Sequence, residues 1–193
     1  EFGKLMSLEI DFNKVSSPGS YINQEVNTTN LDGVFNFQTK KNIYDLTFST
    51  DINREFFQEN GGLDSIVGYE NNIFENERTY LVNLVESNSY VKNYSHSFNQ
   101  RLDLFSFNND SLLKRVLFIK HGLNYISNNR VFFDNDSSKI YNDIFIDSIS
   151  SIDSIYNNNF SNVASIGFRS NNFSFEILGQ FDQIIYHQNA GLD

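Results

Sequence analysis

Alternating apolar and polar residues on both sides of a short polar link constrain the fold of this chain more than any other feature. Phenylalanines occupy alternate positions in residues 34–38, and large apolar residues do the same in residues 43–48. A period of two places every second side chain on one face of a β-strand. The two segments, joined through Lys40 and Lys41, therefore predict a β-hairpin.

Similar alternation occurs near both ends of the chain. Residues 8–12 alternate in the same way and predict a strand before the first hairpin. Residues 164–169 and 173–178 flank a short polar segment at 170–172, where asparagine tolerates the positive φ of a tight turn. These segments predict a second hairpin, and residues 183–187 predict a further strand.

Between the hairpins the apolar residues recur at helical rather than strand spacing. Asp51 or Asn53 can cap a short helix through Phe57 that ends at Gly61 and Gly62. Two longer helices are predicted from apolar residues at 73, 80, 81, 84 and 85 and, after a cap at 110–111, at 112, 113, 116, 117, 119 and 123. The middle third is therefore predicted to be helical, with a short strand at residues 131–133.

Isoleucines recur every three residues between positions 140 and 156, at Ile146, Ile149, Ile152 and Ile155. An amphipathic helix or two short strands could produce this pattern. The helix is favoured, because three-residue spacing does not alternate as a strand should.

These segments predict an α+β fold, in which antiparallel hairpins near both ends pack with a helical middle third. No linker rich in Pro, Gly or Ser divides the 193 residues, so residues 6–193 are expected to form a single compact domain. Residues 1–5 contain Glu-Phe and Lys-Leu pairs that cloning sites encode, and we interpret them as a cloning remnant before Met6.

Composition excludes several classes of function. The net charge of −10 argues against nucleic-acid binding, which needs clustered Lys and Arg. The absence of cysteine excludes disulfides, thiolate metal sites and cysteine nucleophiles. No apolar run approaches the roughly 18–20 residues of a membrane-spanning helix, and no signal peptide follows Met6. These features predict a soluble protein of the cytoplasm or a virion, with no cofactor and with protein partners or self-association.

Two groups of residues are candidates for ligand binding, whereas no catalytic residue can be named. Asp134 and Asp136 alternate as in a calcium loop, although Lys139 and Phe145 occupy positions where an EF-hand needs glycine and glutamate. An irregular calcium site is the remaining hypothesis, and a polar loop the alternative. Four tyrosines could stack on sugar rings or, alternatively, cover the core: Tyr90, Tyr94, Tyr125 and Tyr141.

Three functions follow from these observations. The favoured hypothesis is a non-enzymatic structural or assembly protein, such as a phage or virion component, acting through sheet edges and exposed aromatic residues. The first alternative is an enzyme whose active site is dispersed over the fold. The second alternative is a carbohydrate-binding module that uses the four tyrosines, although the absence of tryptophan disfavours it.

Overall fold

The computed structural model describes residues 5–39, 43–64, 70–71, 76, 80–109, 113–134 and 151–192. In this part of the chain, the strands form one antiparallel sheet of seven. The strands are β1 (Met6–Ser17), β2 (Val26–Gln38), β3 (Tyr44–Glu59), β4 (Ser87–Asn109), β5 (Leu113–Asp134), β6 (Ser151–Arg169) and β7 (Ser174–Leu192). The prediction of an α+β fold is therefore wrong.

Each strand pairs with the next strand along the chain, so the sheet is a meander with β1 and β7 at its two edges. The first predicted hairpin is confirmed, because Phe35 of β2 pairs with Phe48 of β3. The second is also confirmed, because Phe168 of β6 pairs with Phe175 of β7. The predicted strands at residues 8–12, 131–133 and 183–187 lie within β1, β5 and β7.

The segments predicted as helices are wrong wherever the structure describes them. Residues 51–57 lie in β3, residues 113–123 lie in β5, and residues 151–156 lie in β6. Ile52 and Phe56 illustrate the reason. Residues four apart share a face in a strand as well as in a helix, so this spacing alone does not separate the two structures.

Part of the predicted second helix is described, and its residues form irregular structure. Val82 makes an isolated antiparallel bridge with Leu63. Leu84 is buried, and the side-chain amide of Asn23 donates a 2.8 Å hydrogen bond to the carbonyl of Val85. Ile73, residues 110–112 and residues 140–150, which carried the rest of the helical pattern, lie outside the described residues.

The sheet is a single layer, since its strands contact only their neighbours in the sheet. Among the residues whose burial is described, few positions are deeply buried, and these include Val116 and Phe118 of β5. Many large apolar side chains are instead exposed, including Ile10 at 64% and Phe181 at 63%. A large exposed apolar surface on a folded sheet marks a surface that contacts something else.

Candidate functional site: the two faces of the sheet

One face of the sheet, which we call the apolar face, carries rows of large hydrophobic residues. Paired residues lie on the same face, and the register places Phe35, Phe48, Phe98 and Leu123 side by side in one row across four strands. Other hydrophobic residues of this face include Met6, Leu8, Ile10, Phe12, Leu31, Phe37, Leu46, Ile52, Leu102, Ile119, Ile166, Phe175, Ile177 and Phe181.

These residues form a continuous apolar band across the sheet. In β3 the band extends over residues 44–52 and in β4 over residues 94–102, with Tyr44 at one border and Tyr94 at the other. Tyr125, which stacks on His96 with ring centroids 6.2 Å apart, also lies at the second border.

The opposite face, which we call the polar face, carries the acidic residues. Every Asp and Glu whose side chain is described in the seven strands lies on this face. They are Glu9, Asp11, Asp32, Asp45, Asp51, Glu55, Glu59, Asp103, Asp134, Asp153, Glu176 and Asp182. Ser, Thr and Asn are their commonest neighbours on the face, which also carries hydrophobic residues such as Val34, Ile126 and Ile184. Alternation along each strand thus separates carboxylates from the apolar band completely.

Two ion pairs surround a buried aromatic ring on the polar face. Arg101 pairs with Asp103 at 2.8 Å, and Lys120 pairs with Glu176 at 2.9 Å. The guanidinium of Arg101 lies 4.6 Å from the centre of the Phe118 ring, and the ammonium of Lys120 lies 5.0 Å from it. Cations favour the face of an aromatic ring, so Phe118 links the two ion pairs into one cluster.

A run of hydrogen-bonded side chains passes from β3 to β6 within the apolar band. The hydroxyl of Tyr44 donates to Oε1 of Gln100 at 2.9 Å, and Nε2 of Gln100 lies 3.0 Å from Nδ1 of His121. Nε2 of His121 in turn lies 3.2 Å from Oδ1 of Asn162. An amide donor on Nδ1 and an amide acceptor at Nε2 together fit a neutral imidazole protonated on Nε2. These polar groups therefore satisfy one another within the apolar surroundings.

Three of the four predicted stacking tyrosines are described, and all three lie on the apolar face. Tyr90 lies against Phe56 and Phe133, with ring centroids 5.1 Å and 5.9 Å apart. Tyr94 and Tyr125 lie near each other on β4 and β5. Tyr141 is outside the described residues, and ligand binding by this set stays a prediction.

Only one of the two residues predicted to bind calcium is described. Asp134 ends β5, is 1% exposed, and accepts a 2.6 Å hydrogen bond from the hydroxyl of Ser87. Asp136 lies outside the described residues, so the calcium site stays a prediction. In the described part of the chain, no group of three or more His, Asp and Glu side chains is arranged to hold a metal ion.

Comparison with known families bears on the favoured hypothesis of function. A family model described as "Putative porin" matches residues 2–192. The chain belongs to this porin family. No curated protein and no solved structure gives a significant match. Within the described residues, no helix has the length and apolar character needed to cross a membrane.

Membership of the porin family corrects the favoured functional prediction. The hypothesis of a structural or assembly protein of a phage or virion is wrong, because nearly the whole chain matches a porin family instead.

Sequence reasoning missed the polar face as a unit. The signal was present in β1, where Glu9 and Asp11 alternate with Leu8, Ile10 and Phe12. Extending it to the whole sheet required the register of all seven strands.

Proposed function

We propose that this chain forms part of the wall of a membrane pore, with its apolar face against lipid and its polar face lining a water-filled passage. The observation that carries the proposal is the complete separation of carboxylates from the apolar band across seven strands. Strands of pore-forming membrane sheets alternate apolar residues toward lipid with polar residues toward the interior. Membership of the porin family supports the same assignment.

The dimensions of the apolar band support this proposal. Residues 44–52 of β3 and 94–102 of β4 cross the band. A tilted strand needs about 9–11 residues to cross the hydrocarbon core of a bilayer. Tyr44 and Tyr94 lie at opposite borders, where aromatic residues concentrate at the two membrane–water interfaces of such proteins.

Backbone hydrogen bonding requires additional strands at the edges of the sheet. A strand in lipid must have its backbone groups paired, because hydrocarbon offers no replacement for water. The inner strands β2 to β6 are paired on both sides, whereas β1 and β7 each have an outer edge without a partner strand in the described sheet. The proposal therefore includes strand partners at both edges, which close the sheet. This is the form of protein association that the structure supports.

The proposal is tested by asking which face contacts lipid. The chain has no cysteine, so a single introduced cysteine is the only thiol available for labelling. Phe48 on the apolar face and Ser49 on the polar face are consecutive residues of β3 and share one depth in the sheet. Phe48→Cys and Ser49→Cys, each labelled with an environment-sensitive fluorophore, are compared in lipid vesicles. Spin-labelled lipids should quench the probe at residue 48, and aqueous iodide should quench the probe at residue 49.

A matched pair on β5 controls for local effects of labelling. Leu123→Cys and Asn124→Cys should reproduce the two patterns, because Leu123 shares the row of Phe48. Equal iodide quenching at both positions of each pair would refute membrane insertion. Lipid quenching at both positions would refute the water-filled passage while leaving insertion intact. Ion conductance across a planar bilayer then tests the pore directly.

A further inference from the structure

Among the strand residues whose side chains the structure describes, the three cations of the apolar face lie in a single row. Lys14 of β1 pairs with Thr29 of β2, Thr29 pairs with Arg54 of β3, and Arg54 pairs with Lys92 of β4. The other described cations of the strands lie on the polar face: Arg101, Lys120, Arg130 and Arg169. The row of Lys14, Arg54 and Lys92, which we call the basic row, is therefore a separate feature of the apolar face.

The basic row borders the apolar band. Each member of the row lies two residues, or about 7 Å along its strand, from a residue of the band. The neighbours are Phe12 for Lys14, Ile52 for Arg54 and Tyr94 for Lys92. The guanidinium of Arg54 lies 5.9 Å from the centre of the Tyr94 ring, at the border itself. All three cations are exposed. A positive row therefore lies directly beside the surface assigned to lipid.

The charge of this row has no counterpart on its own face. No described strand residue of the apolar face is Asp or Glu, and neither ion pair in the described part of the chain includes a member of the row. Arg54 and Lys92 are direct cross-strand partners. Like charges in this position destabilise a sheet. An anion bound between Arg54 and Lys92 would attract both cations and so offset their mutual repulsion.

Beside Lys92 the same face contains a hollow of about 540 Å³. Tyr90, Phe133 and Tyr156 supply aromatic walls, and Asn88 and Asn129 supply amides. Aromatic walls with a few polar groups suit a small polar group that is attached to an apolar body. The hollow thus offers space next to the cation at which an anion would bind.

We propose that the basic row binds the phosphate of an anionic phospholipid, whose headgroup enters the hollow and whose acyl chains lie along the apolar band. This inference rests on the proposed function, because it requires the apolar face to contact lipid. Charge complementarity and the position of the row at the border of the band select this occupant. Basic residues at a membrane surface attract anionic headgroups by this mechanism.

The test uses the folded chain in vesicles of phosphatidylcholine, with and without phosphatidylglycerol. After extraction into detergent, native mass spectrometry counts the phosphatidylglycerol that remains bound. Arg54→Gln/Lys92→Gln should weaken retention roughly 25-fold, at about fivefold for each charge removed. Arg130→Gln is the matched control, because Arg130 pairs with Val91 at nearly the same depth but lies on the polar face.

Several outcomes overturn the inference. Equal retention by the wild type and the double variant would show that the basic row does not bind the lipid. Displacement of phosphatidylglycerol by an equimolar amount of inorganic phosphate would show a site for free anions instead. Failure of the wild type to enter either kind of vesicle would refute the proposed function and, with it, this inference. Insertion with equal retention by both proteins would refute the inference alone.

Discussion

Gly167 of β6 offers a sharp test of how the polar face is packed. A methyl group at this position would overlap the ring of Phe118 and lie 2.8 Å from the backbone carbonyl oxygen of Phe175. Phe118 is 2% exposed and is held between Arg101 and Lys120. Gly167→Ala must therefore displace the ring and also shift the backbone at Phe175.

Three contributions set the size of the effect. Overpacking of a close-packed site costs about 1–3 kcal/mol. Displacing the ring removes two cation–π contacts, each worth about 0.5–1 kcal/mol. Alanine also lowers the entropy of the unfolded chain, which offsets the loss by about 0.4–1 kcal/mol. The free energy of unfolding should therefore fall by about 3 kcal/mol.

Urea titrations of the folded chain in detergent micelles, followed by circular dichroism, measure this change. Gly179→Ala on β7 is the control, because its new methyl group would meet only the carbonyl oxygen of Ala164, at 4.0 Å. That variant should be unchanged or more stable by up to about 1 kcal/mol. A second substitution, Phe118→Leu, should relieve part of the damage in the Gly167→Ala background, so that the double variant loses less than the sum of the single variants.

Equal urea midpoints for Gly167→Ala and Gly179→Ala would refute this reasoning. Such a result would mean that Phe118 does not lie over Gly167, and the register between β5 and β6 at this point would then be wrong. Strict additivity of Gly167→Ala and Phe118→Leu would also contradict it, because residues in contact should show coupling.

Two further substitutions test the hydrogen bonds of His121 on the apolar face and the hydrogen bond of the buried Asp134. His121→Leu should lower the free energy of unfolding by about 1–3 kcal/mol, because it leaves Gln100 and Asn162 without their shared partner. Replacing all three residues by leucine should recover most of this loss in the same urea titration, and a larger loss in the triple variant would contradict the reasoning. Ser87→Ala removes a donor from the buried carboxyl group of Asp134 and should cost about 1.5–3 kcal/mol. An unchanged urea midpoint would show that this carboxyl group does not need the hydroxyl.

The hairpins could be predicted from the sequence because two local signals agree there. In residues 164–178, alternating apolar residues surround a polar segment, and the structure forms the β6–β7 turn at this place, where the amide of Ser170 donates to the carbonyl of Phe173. The positive φ expected of an asparagine in this turn is not found, since neither Asn171 nor Asn172 adopts it. Alternation and turn chemistry are both encoded within about a dozen residues. No long-range information is needed to predict such a unit.

The middle strands could not be predicted in the same way because their two faces are less distinct in sequence. In β5, Val116 and Phe118 lie on the polar face and are buried there, while Leu117 and Ile119 lie on the apolar face. Four consecutive apolar residues erase the alternation and leave a pattern that also suits a helix. The burial that explains them comes from neighbouring strands, which local periodicity does not reveal.

The candidate site was missed for a different physical reason. Its features are rows that run across strands, so their members are distant in sequence. Arg54 and Lys92 belong to different hairpins. On the polar face, Asp11 pairs with Asp32 and Asp32 pairs with Asp51, so these neighbours come from three strands. Only the register brings such residues together, and a shift of one residue would move each of them to the other face.

The hydrophobic content of the chain, 39%, also gave no sign of the membrane contact proposed above. A spanning helix exposes its whole circumference to lipid and therefore needs a continuous apolar run. A strand exposes only every second residue, so Phe35 and Phe37 can face lipid while Asn36 between them faces the opposite side. A search for long apolar runs tests helices alone. If the probes at Phe48 and Ser49 report opposite surroundings, this alternation accounts for a membrane protein with the composition of an ordinary globular domain.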